Sequence, residues 1–175
     1  LQSQKEAGVF GSIIVLINSE QAMELDWLDD YGVDACMLVG RPGTVGYTGV
    51  VNLMVGAANP SGRVVDTYAA NSLSAPAVTY AGNNTQQWTN LDWVGANDPD
   101  WGADGTSESN WILYAEGIYT GYKYYETRYF DTVMNQGNAA STVGSSTGSA
   151  WNYDDEVTYP FGYGLTYGDC VAESV

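Results

Sequence analysis

Twenty-one acidic side chains and no histidine set the chemistry open to this chain. Without an imidazole there is no Ser-His-Asp or Cys-His nucleophile, no HExxH zinc site and no histidine proton shuttle. Carboxylates, Tyr, Lys and Cys are the reactive groups that remain. Asp29/Asp30, Asp98/Asp100 and Asp154/Asp155/Glu156 are paired by proximity in the sequence alone, and a solvated acidic surface accounts for each group. Asp98, Asp100 and Asp104 hint at calcium, but the glutamate required twelve positions into an EF-hand loop is missing. Neither a metal nor a cofactor is expected.

Two places stand out by context. Gly40-Arg41-Pro42-Gly43-Thr44-Val45-Gly46-Tyr47 follows an apolar run with the character of a buried strand, and open α/β sheets place ligand crevices beyond the carboxyl ends of such strands. Arg41 and Tyr47 are therefore the contact candidates, against simple loop packing. The glycines lack GxGxxG spacing, so this is not a phosphate-binding loop. Glu116 precedes a tyrosine-rich helical pattern, where the N-terminal dipole favours a carboxylate. A helix-start role competes there with contact to a ligand.

The elements that must position these residues follow from periodicity. Ser12-Ile13-Ile14-Val15-Leu16-Ile17 and Ala35-Cys36-Met37-Leu38-Val39 are short continuous apolar runs, the pattern of parallel strands buried on both faces. Between them Met23, Leu25, Trp27 and Leu28 alternate with acids, an amphipathic turn or short helix ending near Gly32. Together these segments predict one βαβ unit. Residues 48–58 predict a second helix through Val51, Met54 and Val55, and residues 63–68 a further strand. Residues 114–129 predict an aromatic-faced helix, because Tyr114, Ile118, Tyr122, Tyr125 and Tyr129 recur at helical spacing. Residues 157–167 predict a turn leading into a last strand. Residues 80–110 are a polar, Trp-rich insertion, and residues 135–156 are expected to be a flexible loop. No internal repeat is present.

The 175 residues suit one loop-rich globular domain, 1–175. A formal charge of −16 repels phosphate backbones and anionic lipid headgroups, so nucleic acid and membrane surfaces are excluded as partners. No apolar stretch approaches the ~20 residues that span a bilayer. Residues 1–8 lack the features of a secretory signal and look like the tail of a helix, which leaves cytoplasmic and secreted locations open. Cys36 and Cys170 make no disulfide framework, and a buried thiol is expected at Cys36. Asn83-Asn84-Thr85 is a glycosylation sequon.

Three segments carry a family resemblance. Asn59-Pro60-Ser61-Gly62-Arg63 with Asp66-Thr67-Tyr68 resembles the Asn-Pro-Ser-Gly-Arg turn and strand of the glycoside hydrolase family 3 C-terminal domain. Glu116-Gly117-Ile118-Tyr119-Thr120-Gly121-Tyr122-Lys123-Tyr124-Tyr125-Glu126-Thr127-Arg128 is similar to its Glu-Gly-Ile-x-x-Gly-Tyr-Arg/Lys-Tyr-Tyr element, and Tyr159-Pro160-Phe161-Gly162-Tyr163-Gly164-Leu165-Thr166-Tyr167 to its closing segment. Their order matches as well. Leu73-Ser74-Ala75-Pro76-Ala77 and Gly137-Asn138-Ala139 resemble the anaerobic-bacterial β-glucosidase-like branch.

The resemblance implies an α/β fold in which a mostly parallel sheet is sandwiched by helices. In such enzymes this domain packs on a TIM-barrel-like domain, here a missing partner, and closes one side of a sugar pocket. It also implies that the nucleophilic aspartate and the acid/base glutamate lie outside this chain. Retaining hydrolysis needs those two carboxyl groups ~5–5.5 Å apart. The Pro-Gly loop after Gly40 would lie near the pocket, although Val45-Gly46-Tyr47 replaces the Glu-Gly-Gly of many members. The expected ligand is a β-glucoside or oligosaccharide, touched by Arg41, Tyr47, Glu116 and Trp101. Against this stands a non-catalytic carbohydrate-binding module, with Trp88, Trp93, Trp101 and Trp111 as stacking platforms.

Overall fold

A computed structural model describes residues 1–76 and 116–168. The chain divides into two compact units, Leu1–Ala70 with Val157–Val175, and Asn71–Glu156. The first unit opens with helix α1 (Gln2–Glu6), followed by β1 (Ile14–Ile17), the single-turn helix α2 (Trp27–Asp30), β2 (Ala35–Leu38) and helix α3 (Gly43–Met54). It ends with two short strands, β3 (Tyr68–Ala69) and β4 (Val157–Tyr159).

β1 and β2 pair in parallel, Ile14 opposite Ala35 through Ile17 opposite Leu38, with α2 in the connection. This is the expected βαβ unit, and it makes the chain α/β. Residues on one face of β1, Val15 and Ile17, pack against a core of Leu25, Leu28 and Tyr68, joined by Trp27, Val33, Val64 and Tyr159. Ile14 and Leu16 alternate onto the other face and stand 47% and 41% exposed. Burial of the strands on both faces is therefore corrected: a β-branched run suits a two-sided layer, but among the described residues only one face is covered. Cys36 is exposed even though it sits opposite Val15 on the covered face, so the expected buried thiol is corrected as well.

Asp34 ties the start of this unit together. Its carboxylate receives Lys5 Nζ at 2.6 Å and the Ile13 backbone N–H at 2.7 Å, so this one acid, just before β2, ties α1 to the residue just before β1. The Lys5 hydrogen bond, then that of Ile13, holds the Asp34 carboxyl below the usual aspartate range.

Two of the three family-like segments meet in space. Asn59 Oδ1 accepts hydrogen bonds from Thr166 Oγ1 and the Tyr167 N–H, each at 2.8 Å, and the Tyr167 hydroxyl donates to the Leu53 carbonyl at 2.9 Å. A Cβ on Gly164 would come within 2.5 Å of the Gly62 carbonyl oxygen, so the glycine is required by a backbone approach. The strand expected over 63–68 shrinks to Tyr68–Ala69. Val64 instead exchanges backbone hydrogen bonds with Gly162 and Tyr163, and Val65 turns to solvent. The last strand comes before the Pro160 turn, as β4 antiparallel to β3, and not after it.

The second unit contains a 3₁₀ turn (Ser72–Ser74), helix α4 (Tyr122–Val133) and the short helix α5 (Tyr153–Glu156). The helix expected over 114–129 starts only at Tyr122. Gly121, at φ 60° and ψ −135°, adopts a conformation that L side chains avoid, and this breaks the pattern before the tyrosines of α4. Arg128, only 9% exposed, organises the stretch beyond α4. Its Nε donates to the Ala139 carbonyl at 2.8 Å, Nη1 to the Val143 carbonyl at 2.7 Å and to the Tyr124 hydroxyl, and Nη2 to the Ser141 carbonyl at 3.0 Å. The guanidinium also lies 4.7 Å from the centre of the Trp151 ring. One cation thus collects three carbonyls from residues 139–143, a fixed set of donors that a planar guanidinium supplies and an ammonium does not.

Glu156 corrects the surface assignment of the 154–156 acids. Asp154 and Asp155 are exposed, but Glu156 is 0% exposed and accepts the Ser146 N–H at 2.7 Å through Oε1. Among the described residues no helix is long and apolar enough to cross a membrane.

Candidate functional site

The carboxyl ends of β1 and β2 gather four polar side chains. Pairing runs one residue past β2, with the Val39 N–H donating to the Ile17 carbonyl at 2.9 Å. Gly40 and Gly43, at φ 57° and 62°, then turn the chain into α3. Pro42 caps that helix, a position that tolerates a residue without an N–H donor. α3 therefore begins five residues earlier than the apolar stripe predicts, and it ends before Val55, with Gly56 at φ 73° closing the turn. A Cβ on Gly46 would sit 2.9 Å from the Pro42 Cβ, so this glycine answers to packing at the helix start.

The early start puts Tyr47 on the first turns of α3, within reach of β1. The Asn18 amide donates to the Tyr47 hydroxyl at 3.3 Å. Also beyond the strand ends, Arg41 pairs with Glu20 at 2.8 Å, although the arginine side chain stays 79% exposed. Such an open pair contributes at most ~1 kcal/mol, so its consequence is orientation of the guanidinium rather than stability. Arg41 and Tyr47 were expected here. Asn18 and Glu20 were not singled out in the sequence, yet they follow the carboxyl end of β1 as Arg41 follows that of β2, and the same crevice rule points to both.

The cluster offers hydrogen-bond donors and acceptors, one cation and one carboxylate. It can orient hydroxyl groups. With Glu20 as its only acid it lacks the carboxylate pair of retaining glycoside hydrolysis. Among the described residues no group of three His, Cys, Asp or Glu could hold a metal ion.

Glu116 belongs to the second unit and does not head a helix. It lies in the turn before Gly121, its carbonyl accepts the Tyr119 N–H at 3.0 Å, and its Oε2 is buried without a hydrogen-bond partner among the described residues. Trp101, with Trp88, Trp93 and Trp111, lies outside the described residues, as does the 80–110 insertion.

A parallel βαβ unit with polar side chains at its carboxyl ends defines the class, an α/β domain. The chain matches the model of the glycosyl hydrolase family 3 C-terminal domain over residues 3–122, and it belongs to that family. It is 27% identical over 158 residues to a β-glucosidase of Ruminococcus albus, covering 90% of this chain and 12% of that protein. It is 25% identical over 159 residues to β-glucosidase A of Butyrivibrio fibrisolvens, 90% of this chain and 14% of the relative. Similarity to β-glucosidase B of Emericella nidulans is 27% over 146 residues, 83% of this chain and 13% of the relative. The chain thus spans about an eighth of the length of these relatives. No solved structure matches the chain significantly.

Proposed function

We propose that this chain is the sandwich-domain portion of a family 3 glycoside hydrolase acting on β-linked glucosides or related sugars by the retaining two-carboxylate route. The nucleophile and the acid/base belong to polypeptide outside it, on a TIM-barrel-like partner domain and on the part of the sandwich preceding β1. This chain contributes one wall of the sugar cleft. The observation that carries the proposal is the Asn18, Glu20, Arg41 and Tyr47 cluster at the carboxyl ends of a parallel strand pair in a chain of this family. Arg41 donates to sugar hydroxyls, Glu20 holds its guanidinium in place, and the Tyr47 hydroxyl, taken up by Asn18, positions a second contact.

The test is turnover of aryl β-glucosides and β-xylosides by the purified chain and by a protein that includes the partner domain. The chain alone is expected to be inactive. In the larger protein Arg41→Ala raises KM for the glucoside about tenfold, equivalent to one lost hydrogen bond to a charged group, with a smaller change in kcat. Robust turnover by the 175 residues alone, abolished by substitution of one carboxylate, would overturn the proposal.

A further inference from the structure

The second unit contains a cleft of about 440 Å³ whose wall includes Glu116, Tyr119, Tyr124, Arg128, Asp131 and Asn138. That volume falls within the ~300–1,000 Å³ of small-molecule sites. Two of its groups have unmet hydrogen-bonding capacity of opposite kinds. Glu116 Oε2 is buried with no donor among the described residues. A buried carboxylate oxygen left unpaired is destabilising, and a ligand donor would relieve that cost. Arg128 has five N–H groups, of which four are engaged by Tyr124, Ala139, Ser141 and Val143, so the remaining one on Nη2 has no acceptor among the described residues.

The complement to such a wall is a neutral molecule that both donates and accepts hydrogen bonds. A simple anion would suit Arg128 but would meet Glu116, Asp131 and a chain of charge −16. A metal cation would suit the acids but would meet the Arg128 guanidinium, and no metal-binding group of three acids, His or Cys forms among the described residues. A saccharide hydroxyl donates to a carboxylate and accepts from a guanidinium in the same contact. Tyr119, half exposed on the rim, adds an aromatic face for the apolar side of a sugar ring.

We infer that this cleft binds a polyhydroxylated ligand, one pyranose ring in size, with Glu116 as acceptor and Arg128 as donor. The site uses second-unit residues only, so it stands or falls independently of the strand-edge cluster. It assigns Glu116 a binding role in place of the helix-start role that the structure removes.

The experiment is calorimetric titration of the full chain with methyl β-D-glucopyranoside and, separately, with sodium sulfate. Saturable binding of the glucoside in the millimolar range is expected, with none for sulfate. Glu116→Gln, which preserves shape and removes the charged acceptor, should raise Kd about tenfold or more. Tyr119→Ala on the rim should weaken binding as well, and it decides the matter if circular dichroism finds Glu116→Gln unfolded. Absence of saturation with the glucoside would overturn the inference, as would preferential sulfate binding. Glucoside binding that survives both substitutions but is lost in Arg41→Ala would also overturn it, while leaving the proposed function intact.

Discussion

The two units solve the same problem with opposite materials. The first is held by a parallel strand pair and an apolar cluster of Leu25, Leu28 and Tyr68, and its polar residues gather at the strand ends where nothing among the described residues covers them. The second shows no strand among the described residues and buries polar groups instead: Arg128 reaches three carbonyls and a tyrosine hydroxyl, while Glu156 lies fully inside and accepts the Ser146 N–H through Oε1. Apolar packing tolerates adjustment, whereas a buried ion is stable only while its whole set of partners is in place. The second unit should therefore fail abruptly when one residue changes, and the first by degrees.

The sharpest test of that contrast is Arg128→Met, which keeps much of the side-chain volume but strands the Ala139, Ser141 and Val143 carbonyls. A loss of about 4 kcal/mol is expected, at the high end for removing a buried charged hydrogen-bonding group. Hydrogen exchange should accelerate over residues 122–156 while the amides of β1 and β2 keep their protection. Uniform acceleration across the chain would break the comparison, because it would make the two units one cooperative block.

Leu28→Ala is the counterpart in the first unit, with an expected cost near ~3 kcal/mol from lost burial and a partly collapsed cavity. Denaturant unfolding followed by hydrogen exchange should place this loss on β1, β2 and β3. Next in size is Gly164→Ala. Its Cβ meets the Gly62 carbonyl oxygen, a backbone atom that cannot rotate away, and about 2 kcal/mol of overpacking is expected. A neutral result would show that the junction between the 59–63 and 159–167 segments is looser than its hydrogen bonds to Asn59 imply.

Acidification is the mildest perturbation. Because the folded-state pKa of Asp34 is lowered, its stabilising effect is present above the ~3.9 of an unfolded aspartate and is lost as pH falls through the lowered value. Thermal unfolding of the first unit should decline along that acid limb, and the Asp34→Asn protein should lack this component. In the second unit the titration runs the other way. Burial, then the Glu126 hydrogen bond, pushes the Tyr153 hydroxyl upward, so its contribution is intact below the ~10 of an unfolded tyrosine and is lost as pH rises through the raised value.

The βαβ unit was legible in the sequence because two β-branched runs around an amphipathic segment allow few other arrangements, and the crevice rule then located Arg41 and Tyr47. Three local motifs in order carried the family. The periodicity of the tyrosines found α4 but not its start, since a helical stripe does not reveal that Gly121 takes a backbone angle no helix uses. The reach of Arg128 into residues 139–143, the burial of Glu156 among acids that look like surface, and the Glu116 oxygen left without a partner among the described residues were decided by tertiary structure alone. Sequence patterns report which face of an element is apolar. They do not report which carbonyls a long side chain will meet, because that depends on where a loop without regular periodicity folds back in space.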